Sequence, residues 1–350
     1  MANLIRQQLL KDYVDFKTGK LDSNAAVDNG MYPFFTCSRE TFKTNTFAFD
    51  QKAVLLAGNN AAGIFPIKYF EGKFDAYQRT YVITSKDPDE TNIRYVYYAL
   101  IPLLGSFKTM STGTTTKFLT KTILDRVEIP LPAKSHQDQV ADILSAYDDS
   151  IENNSKRIEK LEAMARLLYR HYFEVPEASD WEIVKIGDIL GKAPSSAKLQ
   201  KGEYLDEGTY PVIDQGKEYI AGYTNKQEAV IADKLPLTVF GDHTRAVKLT
   251  HDPFARGADG TQIVVSDILP PYYLYQTIKD LPLSSEHYAR HFKLLKATEI
   301  ARPPENILSE FEEKVEPIFK LINTLTKRNR KLAKARDLLL PRLMSGEIKV

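Results

Sequence analysis

Two long amphipathic stretches dominate the hydrophobic pattern of the chain. Steps of alternately four and three residues, starting at Val140, meet apolar side chains as far as Tyr172 with one polar break. The same spacing runs from Phe311 to Leu343 with two breaks. This heptad pattern predicts two long helices that each pack against a partner helix. Each helix would span about 35 residues, which is about 50 Å at 1.5 Å per residue.

The two stretches are also copies of each other. Residues 151–173 and 322–344 align without a gap, and identical residues recur along the alignment, including Lys156 with Lys327 and Leu161 with Leu332. Three shorter matches precede them in the same order along the chain. They pair residues 32–35 with 210–213, 58–60 with 241–243, and 95–98 with 272–275. Together the matches predict a tandem duplication of a unit of about 175 residues.

Each repeat begins with a region of short strands. Runs rich in Val, Ile, Tyr and Thr are bounded by Gly, Asn, Asp and Pro, and they alternate with short helical stretches. This pattern predicts a mixed α/β lobe. We therefore expect an α+β fold with two homologous lobes, 1–134 and 176–305, each followed by a helical region, 135–175 and 306–350.

The helical regions are expected to pack on each other as an antiparallel coiled coil, which makes the molecule pseudo-two-fold symmetric. In the simpler alternative, each helix only braces its own lobe. The residues expected at the helix–helix contact are Ile151, Ile158, Leu161, Leu168, Ile322, Leu325, Leu332 and Leu339.

Composition narrows the class of protein. The 350 residues carry a formal net charge of +1, and 43% of them are hydrophobic, as in a globular protein of two domains. The single cysteine, Cys37, excludes an intramolecular disulfide and favours a reducing, cytoplasmic setting. We expect no membrane contact, because neither a signal-peptide pattern nor a sufficiently long apolar run is found. The near-zero net charge requires any nucleic-acid contact to be local.

Familiar catalytic patterns are missing. Residues 58–63, GNNAAG, lack the Lys-Ser/Thr pair of a phosphate-binding loop. Residues 269–272, LPPY, are similar to the motif of amino-directed DNA methyltransferases, but Leu269 cannot bond the target amino group. The six histidines show no metal-binding spacing. We therefore expect no catalytic residue, no metal site and no cofactor bound by this chain.

Several polar loops instead suit contact with nucleic acid. Residues 111–121, STGTTTKFLTK, and their counterpart 288–296, YARHFKLLK, offer hydroxyl and basic groups of the kind that contacts phosphates. Other turns supply side chains that can pair with base edges. Each loop alone could be an ordinary solvated turn, but their matched positions favour a DNA-binding role. The expected DNA contacts are Ser38, Arg39, Lys43, Asn59, Asn60, Thr112, Gly113, Thr114, Thr115, Lys117, Gln215, Lys217, Asp242, His243, Arg245, Arg290, His291 and Lys293.

The sequence resembles the specificity subunits of type I restriction–modification systems along its whole length. The likeness rests on the duplicated plan, on residues 129–132 (IPLP) before a helix with Gln137 and Gln139, and on the STGTTTKFLTK stretch. The segments that close the two long helices, ARLLYRHYF and ARDLLLPRLMSGEI, also resemble this family. The second repeat departs from the first, because Arg302-Pro303-Pro304 replaces the IPLP turn and its helix lacks the paired glutamines.

The resemblance implies a non-catalytic subunit in which each lobe is a target recognition domain for one half of a split site on double-stranded DNA. The coiled coil would set the spacer between the half-sites. Two modification subunits would bring S-adenosylmethionine and adenine methylation, and restriction subunits would bring ATP- and Mg-dependent cleavage. Two alternatives remain: a coiled-coil adaptor without a nucleic-acid role, and a stand-alone DNA methyltransferase.

Overall fold

The computed structural model describes residues 6–282 and 290–350, and the chain divides into two compact units. Unit 1 consists of the chain up to Asn153 together with Asn329–Val350, and unit 2 of Asn154–Arg328. Both boundaries fall inside long helices, so each unit contains a lobe and a segment of each long helix. The predicted stretch 288–296 begins with two residues that lie outside the described part of the chain.

A six-stranded sheet forms the centre of the unit 1 lobe. Its order is β2-β8-β5-β7-β3-β4, and all neighbours are antiparallel except β3 and β7. Two small antiparallel pairs, β1-β10 and β6-β9, flank it. The described strands are β1 (Gln7–Leu9), β2 (Val14–Thr18), β3 (Tyr32–Phe35), β4 (Thr41–Thr44), β5 (Phe49–Ala57), β6 (Asn59–Asn60), β7 (Ile67–Ala76), β8 (Thr80–Ser85), β9 (Lys117–Phe118) and β10 (Glu128–Pro130).

The helices of unit 1 pack on one side of this sheet. They are α1 (Ile93–Leu100), α2 (Leu104–Met110), α3 (Lys121–Leu124) and the first half of α4 (Lys134–Phe173). Asn92 starts α1, because its side-chain oxygen accepts hydrogen bonds from the N–H groups of Arg94 and Tyr95. The core joins the sheet, α1 and the long helices through fully or nearly fully buried side chains, among them Val54, Leu56, Tyr95, Leu144 and Leu340.

Unit 2 contains the same kinds of element in smaller sheets. A four-stranded sheet has the order β13-β12-β17-β14, a three-stranded sheet the order β16-β15-β18, and β11 pairs with β19. The described strands are β11 (Glu182–Lys185), β12 (Tyr210–Ile213), β13 (Gly222–Thr224), β14 (Val230–Ile231), β15 (Leu237–Gly241), β16 (Val247–Thr250), β17 (Phe254–Arg256), β18 (Thr261–Val264) and β19 (Glu299–Arg302). The helices are α5 (Ile186–Ile189), α6 (Pro271–Asp280), α7 (His291–Ala297) and α8 (Glu305–Met344), of which α8 continues into unit 1.

The strand pairing confirms the predicted duplication of the lobe. In unit 1, β3 pairs antiparallel with β4 and parallel with β7. In unit 2, β12 pairs antiparallel with β13 and parallel with β17. An antiparallel pair also links the start of each repeat to the strand before its long helix, β1 with β10 and β11 with β19. The same topology thus occurs twice in one chain.

The structure corrects the predicted alignment of α1 with α6, the helices that carry residues 95–98 and 272–275. The Tyr95 hydroxyl donates to the Pro130 carbonyl at 2.7 Å, and the Tyr273 hydroxyl donates to the Ala301 carbonyl at 2.9 Å. The residue numbers of Pro130 and Ala301 differ by the same offset that aligns the two long helices, so the two acceptors correspond. Tyr95 therefore corresponds to Tyr273 rather than to Tyr272, and the predicted pairing of residues 95–98 with 272–275 was one residue out of register.

A similar shift applies to the turns after β5 and β15. The Gly58 N–H donates to the Arg79 carbonyl, and the Asp242 N–H donates to the Gly260 carbonyl. Gly58 thus occupies the place of Asp242, and the predicted match of Gly58 with Gly241 was wrong by one position. The error arose because Gly58 and Gly241 were aligned as identical residues, whereas the backbone pairing determines which positions correspond.

All eight residues chosen for the helix–helix contact are buried or half-buried, and exposed residues separate them. In unit 1, Arg336 contacts Asp148 and Asn329 contacts Ile151, so the residue numbers run in opposite directions along the two helices. The segments are therefore antiparallel within this unit. Among the described residues, no helix has the length and apolar character needed to cross a membrane.

Candidate nucleic-acid interface

Four turns meet at one edge of unit 1 to form what we call face 1, comprising residues 36–39, 58–60, 77–79 and 111–118. The Arg79 carbonyl accepts hydrogen bonds from the Gly58 N–H and from the Cys37 thiol, which ties three of the turns together. Pairing of β6 with β9 adds the fourth. The polar loops identified in the first repeat are therefore neighbours in space, as a binding surface requires.

The hydroxyl-rich turn of face 1 is open to solvent. Thr112, Thr114 and Thr115 are exposed, and Gly113 adopts a φ of +99°, which only glycine takes readily. A Cβ at Gly113 would lie 2.1 Å from the Thr116 carbonyl oxygen. Lys117 follows at half-exposure on β9. This turn can present hydroxyl, N–H and ammonium donors together, which is the set of groups that proteins use on phosphates.

The two asparagines of face 1 are placed differently from the prediction. Asn60 Oδ1 accepts hydrogen bonds from the N–H groups of Ala62 and Ile64, at 2.8 and 3.3 Å, and so closes its own turn. Asn59 Oδ1 is buried, without a hydrogen-bond partner among the described residues. Bidentate pairing with adenine needs an accessible amide oxygen and nitrogen on one side chain. Neither asparagine presents both in this conformation, so neither is placed for bidentate pairing with adenine.

The turn after β3 is held by a lysine that was not among the predicted residues. Lys68 Nζ donates to the Glu40 carbonyl at 2.6 Å and to Thr41 Oγ1 at 3.0 Å. Partial burial lowers the Lys68 pKa to about 8, against the opposing effect of the Glu40 carboxylate. Ser38 Oγ accepts from the Glu40 N–H, whereas Arg39 and Lys43 are exposed. Arg39 in this turn and Lys43 on β4 are therefore cations that a ligand can reach.

Unit 2 builds the corresponding face 2 from residues 214–217, 242–245, 257–260 and 290–293. Gln215 is its central tie: its Nε2 donates to the Asp259 carbonyl at 2.8 Å, and its Oε1 accepts from the His243 N–H at 3.2 Å. The Thr244 hydroxyl donates to the Gln215 carbonyl. Gln215 therefore lies in the predicted surface, but the hydrogen bonds of its side chain hold the turns together.

Two predicted contact residues of unit 2 are buried instead of exposed. Asp242 is 8% exposed, its Oδ1 accepts from the Phe292 N–H at 2.7 Å, and its carbonyl accepts from the His291 N–H at 3.1 Å. His291 is 5% exposed. Asp242 thus anchors the start of α7. These contacts contradict the predicted exposure of Asp242 and His291. The prediction failed because a short polar motif does not reveal that a helix distant in sequence packs on it.

The remaining predicted residues of unit 2 lie on its surface. His243, Arg245, Arg290 and Lys293 are exposed, and Arg245 has a φ of +59°. Lys217 is exposed at the rim of a cavity of about 310 Å³.

A buried lysine supports the turn that carries Lys217. Lys248, 5% exposed, donates to the carbonyls of Asp214, at 2.8 Å, and Glu218. Burial lowers the pKa of Lys248, and the Asp214 carboxylate at 3.8 Å opposes that effect.

Sequence reasoning missed one prominent residue of face 1. Arg79 is exposed in the turn between β7 and β8, and its guanidinium lies 5.4 Å from the centre of the Phe118 ring. The signal available in the sequence was a basic residue shortly before the strand-like run at 81–84. For metals, residues 6–282 and 290–350 contain no cluster of three or more His, Cys, Asp or Glu side chains that could hold an ion.

The chain is similar to a known family of proteins. A family model described as the type I restriction modification DNA specificity domain matches residues 9–163. The specificity subunit of the type I restriction enzyme MjaIX from Methanocaldococcus jannaschii is 27% identical over 328 residues, covering 77% of this chain and 75% of that protein. Residues 9–163 thus match the DNA specificity domain of type I restriction–modification systems, and the chain as a whole is similar to specificity subunits of those systems. The family model covers the first repeat, and the strand topology shows that the second repeat has the same plan.

Two further type I specificity subunits are similar to this chain over different lengths. The specificity subunit of EcoDI from Escherichia coli is 38% identical over 152 residues, which is 43% of this chain and 33% of that protein. The crystal structure of a type I S subunit from M. genitalium superposes with a TM-score of 0.64 at 19% identity, covering 98% of this chain and 97% of that one. This last likeness establishes a shared fold.

Proposed function

We propose that this chain reads a bipartite DNA site as the non-catalytic specificity subunit of a type I complex, each lobe contacting one half-site. The observation that carries the proposal is the repetition of one polar face. Faces 1 and 2 arise from equivalent turns of the two lobes, yet their exposed side chains differ. Two homologous surfaces with different chemistry are suited to reading two different short sequences.

Within each face, phosphate and base contacts fall on different residues. The exposed threonines and Lys117 on face 1, and Arg290 and Lys293 on face 2, supply sequence-independent phosphate contacts. The net charge of +1 makes the affinity of the isolated chain modest and strongly salt-dependent. Much of the binding free energy therefore comes from the assembled complex.

The long helices supply matched docking positions for two copies of one partner. Leu167 on α4 is 65% exposed, and Leu338, its counterpart in the gapless alignment of the two helices, is 62% exposed on α8. A large exposed apolar side chain at the same place in both repeats suits a protein contact. We assign these positions to two modification subunits, which supply S-adenosylmethionine-dependent adenine methylation. Restriction subunits of the complex supply ATP- and Mg-dependent cleavage, and the helices set the spacer.

Exchange of one lobe tests this function directly. Residues 6–133 are replaced by the corresponding lobe of a relative, the variant is assembled with its modification subunits, and methylated adenines are mapped across a genome. We expect one half-site to change while the other half-site and the spacer stay the same. The matched exchange of residues 176–304 is expected to change only the second half-site. A simultaneous change of both half-sites, or no sequence-specific methylation by the unmodified complex, would contradict the proposal.

A further inference from the structure

Arg79 lies where the turns of face 1 meet. Its carbonyl accepts from Gly58, in the turn before the asparagines, and from Cys37, in the turn after β3. Its guanidinium lies over Phe118 of β9, beside the hydroxyl-rich turn. The backbone of Arg79 is thus fixed by two neighbouring turns, while its side chain points across the third.

The guanidinium of Arg79 is held but not neutralised. Its contact with Phe118 is a cation–π contact, which restricts the side chain and leaves its N–H groups available. Within the described residues, Arg79 forms no ion pair with a carboxylate, and it is exposed to solvent. An arginine in this state can donate two parallel hydrogen bonds, and the O6 and N7 atoms of guanine are the base acceptors that match them.

The corresponding turn of unit 2 carries the opposite charge. It runs from Gly257 to Gly260 and is one residue longer than the turn at 77–79, since Gly260 occupies the place of Arg79 in the backbone pairing. Its exposed charged residue is Asp259. The Asp259 carbonyl accepts from Gln215, as the Arg79 carbonyl accepts from Cys37, so both turns are tethered in the same way.

A carboxylate on a DNA-binding face is repelled by phosphates unless a donor faces it. The N4 amino group of cytosine is such a donor in the major groove. The opposite charges of Arg79 and Asp259, carried by corresponding turns of the two lobes, are therefore suited to selecting different bases in the two half-sites.

We propose that Arg79 and Asp259 are specificity-determining residues, with Arg79 selecting a guanine in one half-site and Asp259 a cytosine in the other. This inference rests on the proposed DNA-reading function and assigns base choice to two residues within it. It also assigns the Phe118 ring a positioning role, since the ring orients the guanidinium.

The test uses the full chain assembled with its modification subunits. Binding is measured to a set of duplexes in which each base pair of the recognised site is changed in turn, at two salt concentrations. For Arg79→Ala we expect discrimination to fall about ten-fold or more at one G·C position and to stay unchanged elsewhere. Arg79→Lys keeps the charge but loses the paired donors, so it should retain affinity without restoring discrimination.

The matched variant in unit 2 has a different signature. Asp259→Ala should relax one C·G position of the other half-site and also tighten binding to unrelated duplex, because a negative charge leaves the DNA-facing surface. Lys117→Ala serves as the comparison for a phosphate contact, with a uniform loss across all duplexes and a weaker salt dependence.

The outcomes separate this inference from the proposed function. A uniform loss for Arg79→Ala, like that of Lys117→Ala, would show a phosphate contact and overturn the assignment. Unchanged base selection in both variants would also overturn it, while leaving the DNA-reading role intact. Failure of the unmodified complex to select any sequence would refute the proposed function, and this inference with it.

Discussion

The two units differ in the contacts by which the lobe meets the long helices. In unit 1, Asp148 accepts a hydrogen bond from the Tyr98 hydroxyl at 2.6 Å and pairs with Arg336. At the equivalent positions of the repeat, unit 2 has Phe319 in place of Asp148 and Ala165 in place of Arg336. Phe319 stacks on Tyr272 with ring centres 5.1 Å apart and meets Tyr275 edge-on. One repeat joins lobe and helix through a charged network, and the other through aromatic packing.

This difference shows that the topology does not depend on one type of contact. A partly buried charge is tolerated in unit 1 because each member of the network has a partner. The aromatic contact in unit 2 needs no partner but requires close packing, since a lost ring leaves a cavity. The two junctions should therefore fail in different ways when one residue is removed.

The largest effect is expected at the aromatic junction. Phe319→Ala should lower the stability of unit 2 by about 3–5 kcal/mol, because the ring is 4% exposed and its removal leaves a cavity. Hydrogen exchange of amides in α6 and α8 measures the loss in the full chain. The loss of stability should be the same at low and high salt, because no charged group takes part in this contact. A loss below about 1 kcal/mol would mean that the junction does not depend on this ring.

The N-termini of the equivalent helices α1 and α6 provide a second contrast between the units. In unit 1, Asn92 caps α1 from within its own turn. In unit 2 the equivalent residue, Pro270, has no side chain that can do this. Glu312 of α8 accepts from the N–H groups of Tyr272 and Tyr273 instead, at 3.4 and 2.7 Å. Burial raises the Glu312 pKa to about 7, although the two N–H groups oppose the rise.

This carboxyl should make unit 2 sensitive to pH. A folded-state pKa above the ordinary value of 4.5 stabilises the fold at low pH, and that contribution is lost as the pH rises through 7. The loss is about 3 kcal/mol. Between pH 5 and pH 8, hydrogen exchange in α6 should accelerate more in the unmodified chain than in Glu312→Gln, which keeps one acceptor oxygen. Parallel pH profiles for the two proteins would contradict this assignment.

The repeat and the long helices could be predicted because they depend on local periodicity. The expected helical regions were 135–175 and 306–350, and the long helices of the structure are α4 at Lys134–Phe173 and α8 at Glu305–Met344. The longest strand, β7, was missed because Lys68, Glu71 and Lys73 interrupt its apolar pattern. These side chains are exposed or half-buried, so the strand shows apolar alternation only weakly.

The candidate faces were less predictable for a different reason. Residue type indicated which loops are polar, and the structure brings those of the first repeat together in face 1. The roles of single residues depend on hydrogen bonds made within a turn and between parts of the chain that are distant in sequence. Asp242 is buried because α7 starts on it, and Asn60 is engaged because its own turn closes through it. Such contacts leave no trace in spacing or composition.

The smallest of the three stability effects is expected at the charged junction of unit 1. Asp148→Ala should cost about 1–3 kcal/mol, because it leaves the Tyr98 hydroxyl without its acceptor and removes one of the two carboxylates that pair with the Arg336 guanidinium, the other being Asp337. Arg336 is 25% exposed, so water compensates part of the loss. The double variant Asp148→Ala/Arg336→Ala should lose less than the two single losses added together, since the pair is already broken. The coupling should shrink at high salt, unlike the loss at Phe319. Additive single losses, measured by hydrogen exchange in α1, would show that the charged network contributes nothing to the junction and that the two repeats differ there in composition alone.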